Sequence, residues 1–153
     1  MNQLNLSFST NPLPEKSETK DVFEIFADGG ARDNPGPAGC GWVIKKNKQV
    51  KKQGKKFLNH ATNNQAEYQA LIEVLKDAET LKIEKIKIFL DSELIVKQVK
   101  GEYRVKNQDL FSLFLQVKKL LENFSWSIQH IPRKLNKEAD LLVNQVIDEN
   151  LNK

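Results

Sequence analysis

Apolar residues follow two different periods along this chain, and those periods separate predicted strands from predicted helices. Five segments rich in β-branched and aromatic residues, each bounded by turn-forming residues, are typical of strands. They are Val22–Ala27, Gly41–Lys45, Gln49–Phe57, Ile86–Leu90 and Phe124–Ile131. The first is followed by DGGARDNPGPAG. Its glycines and prolines predict a long loop, which either makes a wide connection or brings the backbone close to a ligand.

Apolar positions that recur three and four residues apart predict four amphipathic helices. They are Thr62–Leu81, Ser92–Val99, Asp109–Leu121 and Asn136–Leu151. The first of them begins with Thr62 and Gln65, which fit a capping box. The resulting order, β-β-β-α-β-α-α-β-α, predicts an α/β fold with a mixed sheet, in which an antiparallel hairpin precedes βαβ units.

The composition divides the chain into a tail and one domain. Residues 1–20 are polar with scattered apolar positions and predict a flexible N-terminal tail, and residues 21–153 predict a single folded domain. The start of the chain does not resemble a secretory signal and the chain contains no apolar run of membrane-spanning length, so we expect a cytoplasmic protein without a membrane partner. The single cysteine, Cys40, excludes an internal disulfide and a thiolate-rich zinc site. A net charge of +4 permits a polyanionic partner without requiring one.

Four acidic residues stand where packing alone does not favour them. Asp28 and Asp91 each follow a predicted strand, whereas Glu67 and Asp140 lie on the apolar faces of their predicted helices. Each one alone has an ordinary explanation, since acids are common at strand ends and in first helical turns. If the four converge, each pair repels by roughly 4 kcal/mol at about 4 Å and an effective dielectric of 20. Such a cluster requires a cation, and all-oxygen ligation suits two Mg²⁺ ions, or Mn²⁺ in their place.

Four ordered motifs resemble the type 1 ribonuclease H family, over about residues 21–150. The motifs are FADGGARDNPGPAGCGWVI, TNNQAEYQALIEVL, IFLDSELIVKQVKGEYRVKNQDL and HIPRKLNKEADLLVNQ. The resemblance implies a ribonuclease H-like fold, with a five-stranded mixed sheet flanked by helices. It places the acidic quartet of the family on Asp28, Glu67, Asp91 and Asp140, which would be catalytic and metal-binding.

The activity that the resemblance implies is endonucleolytic hydrolysis of the RNA strand of RNA–DNA hybrids. Two Mg²⁺ ions would serve the reaction, with Mn²⁺ as a substitute, and the products would carry 5′-phosphate and 3′-hydroxyl ends. The expected partner is therefore an RNA–DNA hybrid, and duplex RNA stays open as a second substrate. We expect the protein to act as a monomer.

Five further residues resemble positions that contact the nucleic acid in the family. They are Asn34, Thr62, Asn63, Asn64 and Asn107. Asn34 lies in the loop after the first aspartate, the TNN sequence before Glu67 resembles a minor-groove and DNA-phosphate contact, and Asn107 resembles a phosphate-pocket residue. The alternative interpretation of Thr62 and Asn107 is that each caps a helix.

The chain departs from the family in two places. A basic protrusion found in many members is missing, because only a short connection containing GEYRV separates two predicted helices. By spacing, His130 takes the place of the mobile histidine of the family. It lies an even number of residues from Trp126 and Ile128, so on a strand it would face the same side of the sheet as they do, which favours a core or rim position. Arg133 precedes Asp140 in a predicted loop and resembles the arginine of members without the protrusion. We therefore expect Arg133 to assist catalysis.

Two other classes of protein fit parts of this pattern. An integrase or a DNA exonuclease of the same fold would carry similar acids, but TNNQAE and NPGPAG argue against it. A non-catalytic hybrid-binding module, or a domain cut from a reverse transcriptase, would not need the complete quartet. The tail and the complete last helix favour a standalone chain.

Overall fold

The computed structural model describes residues 21–152, which form one sheet and the helices that cover it. The strands are β1 (Val22–Ala31), β2 (Gly36–Lys46), β3 (Gln49–Ala61), β4 (Lys85–Leu90) and β5 (Ser125–His130). The helices are α1 (Asn63–Thr80), α2 (Glu93–Lys100), α3 (Gln108–Leu121) and α4 (Lys137–Leu151), with a 3₁₀ turn at Arg133–Leu135. The predicted tail, residues 1–20, lies outside the described residues.

The strand order in the sheet is β3-β2-β1-β4-β5. β1, β2 and β3 pair antiparallel, whereas β4 lies parallel to both β1 and β5. The predicted mixed sheet of five strands is thus confirmed, as is the order of its strands and helices. Within residues 21–152, no helix combines the length and the apolar character needed to span a bilayer.

The segment DGGARDNPGPAG was wrongly predicted as a long loop. β1 continues through Asp28 to Ala31, β2 already begins at Gly36, and a ladder of paired residues joins the two strands. The turn is confined to residues 32–35 and includes Asp33 at φ 62°. Glycine has low strand propensity, but a Cβ atom on Gly29 would overlap α1 and one on Gly39 would overlap α4, so the absence of a side chain is required at these two positions. Asp28 is therefore an interior strand residue.

The main core lies between one face of the sheet and helices α1, α2 and α3. α1 is central to it, since its residues from Ala66 to Ala78 bury an almost continuous apolar surface. Tyr68 is fully buried among them, and its hydroxyl is satisfied by Gln98 Oε1 at 2.7 Å. The helix begins as predicted, because Thr62 and Gln65 form both hydrogen bonds of a capping box.

α4 covers the opposite face of the sheet, where Val143, Val146 and Ile147 form a smaller apolar cluster. Its solvent side is joined to the strands by ion pairs, Lys45 with Glu138, Lys55 with Glu149 at 2.6 Å, and Arg32 with Asp148 at 3.0 Å. The sheet is consequently enclosed by α1 on one face and α4 on the other. Each of these two helices carries one acidic residue of the predicted quartet.

Candidate active site

The sheet brings two of the four predicted carboxylates side by side. Asp28 lies in β1, opposite Gly41 of β2, and is 8% exposed. Asp91 directly follows β4, which lies parallel to β1. Phe26 and Phe89 are paired in this ladder, and Asp28 and Asp91 each stand two positions further along. The two side chains therefore meet at the carboxyl end of β4.

Two glycines allow the helices to approach this point. A Cβ atom on Gly29 would overlap the backbone of Ala66, so α1 lies against β1 immediately before Glu67. A Cβ atom on Gly41 would overlap the carbonyl of Ala139, so α4 lies against β2 immediately before Asp140. Gly29 and Gly41 thus bring Glu67 and Asp140 towards Asp28 from opposite faces of the sheet.

The four acidic side chains that the sequence singles out converge in the structure. Oxygen atoms of Asp28, Glu67 and Asp91 lie within 4.8 Å of one another, and Asp140 lines the same cleft, close enough to act on Asp28 by its charge. These four residues are called the carboxylate cluster below. Only Asp28 is buried, and the other three are half-buried, so the cluster has one face open to solvent.

Burial and mutual repulsion raise the pKa values of two of these carboxyl groups, so that both favour the protonated, uncharged form at neutral pH. Burial, followed by the charges of Asp91, Glu67 and Asp140, raises the pKa of Asp28 from 3.8 to about 8. Burial and the charge of Asp91 raise the pKa of Glu67 from 4.5 to about 8, against the opposing charge of Arg133. A divalent cation would reverse this shift, because it stabilises the ionised carboxylates.

The carboxylate cluster offers the kind of ligands that Mg²⁺ prefers. It consists of carboxylate oxygens, it carries more negative charge than the fold accommodates unaided, and it opens to solvent on one side. No thiolate takes part, since Cys40 is buried and donates to the carbonyl of Ala66. Mg²⁺ usually keeps several water ligands, which the open face permits.

Asn136, which the sequence did not indicate as a site residue, makes a buried hydrogen bond to the carboxylate cluster. It precedes α4, is 1% exposed, and donates through Nδ2 to the carbonyl of Ala27 at 2.9 Å and to Asp91 Oδ2 at 3.3 Å. Its Oδ1 has no partner within residues 21–152. The sequence suggested only the beginning of a helix here, yet the Asn136 side chain makes no capping hydrogen bond to α4.

The cluster forms the floor of a cleft of about 380 Å³. The cleft is also lined by residues 29–32, by Asn63 and Arg133, and by Val143, Asn144 and Ile147 of α4. Arg133 begins the 3₁₀ turn and acts on Glu67 by its charge, so the structure brings the predicted assisting residue to the cluster. The second cation in the lining, Arg32, is a residue that the sequence did not single out.

His130 does not line this cleft. It is the last residue of β5, it is exposed, and it pairs with Leu90 in the sheet register. The expectation of a core histidine beside Trp126 and Ile128 is therefore wrong, whereas a rim position is correct. The strand ends at His130, and its side chain is exposed there.

The five predicted substrate contacts divide between two neighbouring cavities. Asn63 lines the cleft, and the others line a second groove of about 260 Å³ that also contains Gln65, Asp109 and Leu110. The residues of the groove that the sequence predicted are Asn34, Thr62, Asn64 and Asn107. Two helices, α1 and α3, begin at this groove, with Thr62 and Asn107 as their N-caps.

Three of these asparagine side chains form hydrogen bonds with the backbone of the protein. Asn34 Oδ1 accepts from the backbone N–H of Asn63 at 3.0 Å, and Asn63 Oδ1 accepts from that of Ala31 at 2.8 Å. Asn107 Oδ1 accepts from Leu110 N at 3.1 Å, so the interpretation of Asn107 as a helix cap is confirmed. In each case the side-chain oxygen is engaged, and the residue also lines one of the two cavities.

Several known proteins are similar to this chain in sequence and in fold. The family described as reverse transcriptase-like matches residues 26–146. The chain is 39% identical over 126 residues to ribonuclease HI of Halobacterium salinarum, covering 81% of this chain and 63% of that protein. It is 33% identical to ribonuclease H of Pseudomonas entomophila, covering 84% of this chain and 95% of that one. A solved structure of LC11-RNase H1 in complex with an RNA/DNA hybrid superposes with a TM-score of 0.81 at 38% identity, covering 84% of this chain and 99% of the other.

The relatives differ in length. The chain spans 63% of the Halobacterium protein and 35% of Mycobacterium tuberculosis relatives that are 40% identical to it, but nearly all of the Pseudomonas protein. The family match covers most of the described residues, including the whole carboxylate cluster. The chain belongs to the type 1 ribonuclease H family.

Proposed function

We propose that this protein is an endoribonuclease that hydrolyses the RNA strand of RNA–DNA hybrids. The observation that carries the proposal is the convergence of Asp28, Glu67, Asp91 and Asp140 on the floor of one solvent-open cleft. Its support from relatives is a similar structure, 38% identical, solved in complex with an RNA/DNA hybrid.

Each carboxylate has a proposed role. Asp28 and Asp91, which meet at the centre of the cluster, are the ligands that two Mg²⁺ ions would share, and Glu67 and Asp140 would each complete one ion. When bound, the ions would activate the attacking water and stabilise the departing 3′ oxygen, leaving 5′-phosphate and 3′-hydroxyl ends. Mn²⁺ has compatible ligand preferences and would substitute for Mg²⁺. Asn136 keeps Asp91 oriented through its hydrogen bond.

Recognition of the hybrid is proposed to use both cavities. Asn63 lines the cleft, where its amide donors can meet a 2′-hydroxyl of the cleaved strand, the group that distinguishes RNA from DNA. The groove beside it is bounded by the N-termini of α1 and α3, whose partial positive charges favour a phosphate. Asn34, Asn64 and Asn107 would then contact a phosphate of the DNA strand.

Arg133 is proposed to assist turnover. Its guanidinium is the cation that acts on Glu67, so it lowers the cost of ionising that carboxyl group. A flexible cation at the opening of the cleft can also help a newly formed phosphate leave the carboxylate cluster. Arg133 is exposed at the start of the 3₁₀ turn, which gives the side chain room to move.

One assay tests the proposed function against its rivals. An RNA–DNA hybrid, duplex RNA, duplex DNA and single-stranded RNA, each labelled on one strand, are incubated with the parent protein in Mg²⁺, in Mn²⁺ and in EDTA. The proposal expects cleavage of the RNA strand of the hybrid, with metal only, and its loss in Asp28→Asn. Cleavage of duplex DNA in preference to the hybrid would favour an integrase or exonuclease. Hybrid binding without cleavage would favour a non-catalytic module.

The same samples address three narrower proposals. Cleavage of duplex RNA decides whether it is a second substrate. The elution volume of the active fraction on a sizing column tests the proposed monomer. The proposed cytoplasmic location is tested by fractionating cells that express the full-length protein.

A further inference from the structure

The cleft extends beyond the carboxylate cluster to Arg32, which directly follows β1. Arg32 shares parity with Asp28, so both side chains lie on the sheet face covered by α4. Arg32 Nη2 donates to Asn144 Oδ1 at 3.2 Å and to Asp148 Oδ1 at 3.0 Å, both on α4. The guanidinium is thereby held in a defined position on the wall of the cleft.

Stability does not account for this arrangement. The side chains of Arg32 and Asp148 are 41% and 58% exposed, and exposed ion pairs contribute little to the free energy of folding. The pair between Lys55 and Glu149 already joins α4 to the strands. The structure therefore orients a cation at the cleft without needing it to hold the helix.

The orientation leaves much of the guanidinium available. Both contacts engage Nη2, and no hydrogen-bond partner for Nε or Nη1 is found within residues 21–152. A planar guanidinium matches the oxygens of a phosphate, and holding it in place beforehand lowers the entropy lost on binding. A strand whose scissile phosphate lies at the carboxylate cluster would carry its next phosphate along the same cleft, towards Arg32.

We propose that Arg32, held by Asn144 and Asp148, binds the backbone phosphate adjacent to the scissile one on the cleaved strand. The inference rests on the proposed function. The carboxylate cluster repels a polyanion, and Arg32 supplies a positive charge in the same cleft that offsets this repulsion for one neighbouring phosphate. Its contribution is to substrate affinity, because that phosphate takes no part in the bond that breaks.

The test compares Arg32→Ala with Lys55→Ala. Each variant removes one positive charge and one ion pair to α4, but Lys55 lies outside the lining of the cleft. KM and kcat for a hybrid are measured at a series of KCl concentrations, with melting temperatures alongside. Arg32→Ala should raise KM about tenfold, leave kcat within about twofold, and reduce the slope of log KM against log salt by about one. Lys55→Ala should keep the KM and the slope of the parent.

A second pair keeps the inference testable if Arg32→Ala does not fold. Arg32→Lys keeps the positive charge but loses the planar guanidinium that can bind a phosphate through two N–H groups, so KM should rise while the salt slope stays that of the parent. Lys55→Arg should change neither the KM nor the salt slope. The inference is overturned if the Arg32 and Lys55 variants have the same KM and salt slope, or if Arg32→Ala lowers kcat alone. Failure of the proposed function would look different, because the parent itself would then leave the hybrid intact.

Discussion

Asn136 Nδ2 lies 3.3 Å from Asp91 Oδ2 and joins the start of α4 to the carboxylate cluster. The same nitrogen donates to the carbonyl of Ala27, the residue before Asp28. One buried amide therefore fixes the relative positions of β1, of the end of β4 and of the helix that carries Asp140. The arrangement keeps Asp91 oriented in a region where like charges would otherwise drive the side chains apart.

Replacing Asn136 by alanine should lower both kcat and stability. The carbonyl of Ala27 would lose a buried donor, which costs about 1–3 kcal/mol of unfolding free energy, and Asp91 would lose its orientation. Losing a hydrogen bond that orients a metal ligand typically reduces activity about 10- to 100-fold. Asn150→Ala is the matched control, since Asn150 likewise donates its side-chain amide to a backbone carbonyl. Its acceptor is Val146 in its own helix, at 2.8 Å, away from the carboxylate cluster. Full activity in a folded Asn136→Ala variant would remove Asn136 from the site.

Neutralising one acid of the cluster should abolish activity without unfolding the protein. Asp28→Asn removes a buried group that is costly to ionise, so its melting temperature in EDTA should equal or exceed that of the parent. Turnover in Mg²⁺ should fall by at least about 10³-fold, because a shared metal ligand is lost. Glu102→Gln, which changes an exposed acid elsewhere, should leave both quantities unchanged. Near-parental turnover in Asp28→Asn would contradict the proposed role of that residue.

The metal-free protein should lose stability as the pH rises from about 4 to 8. Asp28 has a pKa of about 8 in the folded chain against 3.8 as its ordinary value, so the folded state holds a proton that the unfolded state has released. The stability that this proton supplies is complete below the ordinary pKa and is lost as the pH rises through the folded pKa of about 8. Melting curves in EDTA should show a shallower decline for Asp28→Asn than for the parent.

Added Mg²⁺ should act in the opposite direction. Binding requires the ionised carboxylates, so the rise in melting temperature caused by Mg²⁺ should grow between pH 6 and pH 8. An increment independent of pH would show that the ion binds away from Asp28 and Glu67.

The helical carboxylates were predictable from the sequence, because helical periodicity places Glu67 and Asp140 on the inner faces of their helices before any fold is known. The strand position of Asp28 was not. Its segment contains glycines that weaken a strand signal, and the contacts of Gly29 with α1 and of Gly39 with α4, which explain their place in a sheet, are visible only in the folded chain. Asn136 and Arg32 were missed because their partners lie far away in sequence. Asp91 is 45 positions from Asn136, and Asp148 is 116 from Arg32.

Asn107 offers a way to separate helix capping from phosphate binding. Asn107→Asp keeps an oxygen that can accept from Leu110 N, so the cap and the melting temperature should persist. The new negative charge would repel a phosphate in the groove, and KM for the hybrid should rise about tenfold or more. Asn107→Ala should instead cost about 1 kcal/mol of stability. An unchanged KM in Asn107→Asp would show that the groove holds no phosphate.

Arg133 and His130 should affect turnover differently. Arg133 lines the cleft and its charge opposes the rise in the pKa of Glu67 that burial and Asp91 cause, whereas His130 is exposed at the end of β5 and lines no part of the cleft. Arg133→Ala should therefore lower kcat about tenfold, less than the roughly 100-fold or greater loss typical of a direct transition-state donor. Because Glu67 would become harder to ionise, the acidic limb of its pH–rate profile should move to higher pH.

His130→Ala is the comparison variant for this prediction. An exposed side chain at a strand end contributes within about 0.5 kcal/mol, so the melting temperature and kcat should both stay close to those of the parent. Steady-state kinetics of the two single variants from pH 6 to pH 9, at one salt concentration, provide the measurement. The assignment is wrong if His130→Ala loses turnover at an unchanged melting temperature while Arg133→Ala keeps the pH–rate profile of the parent.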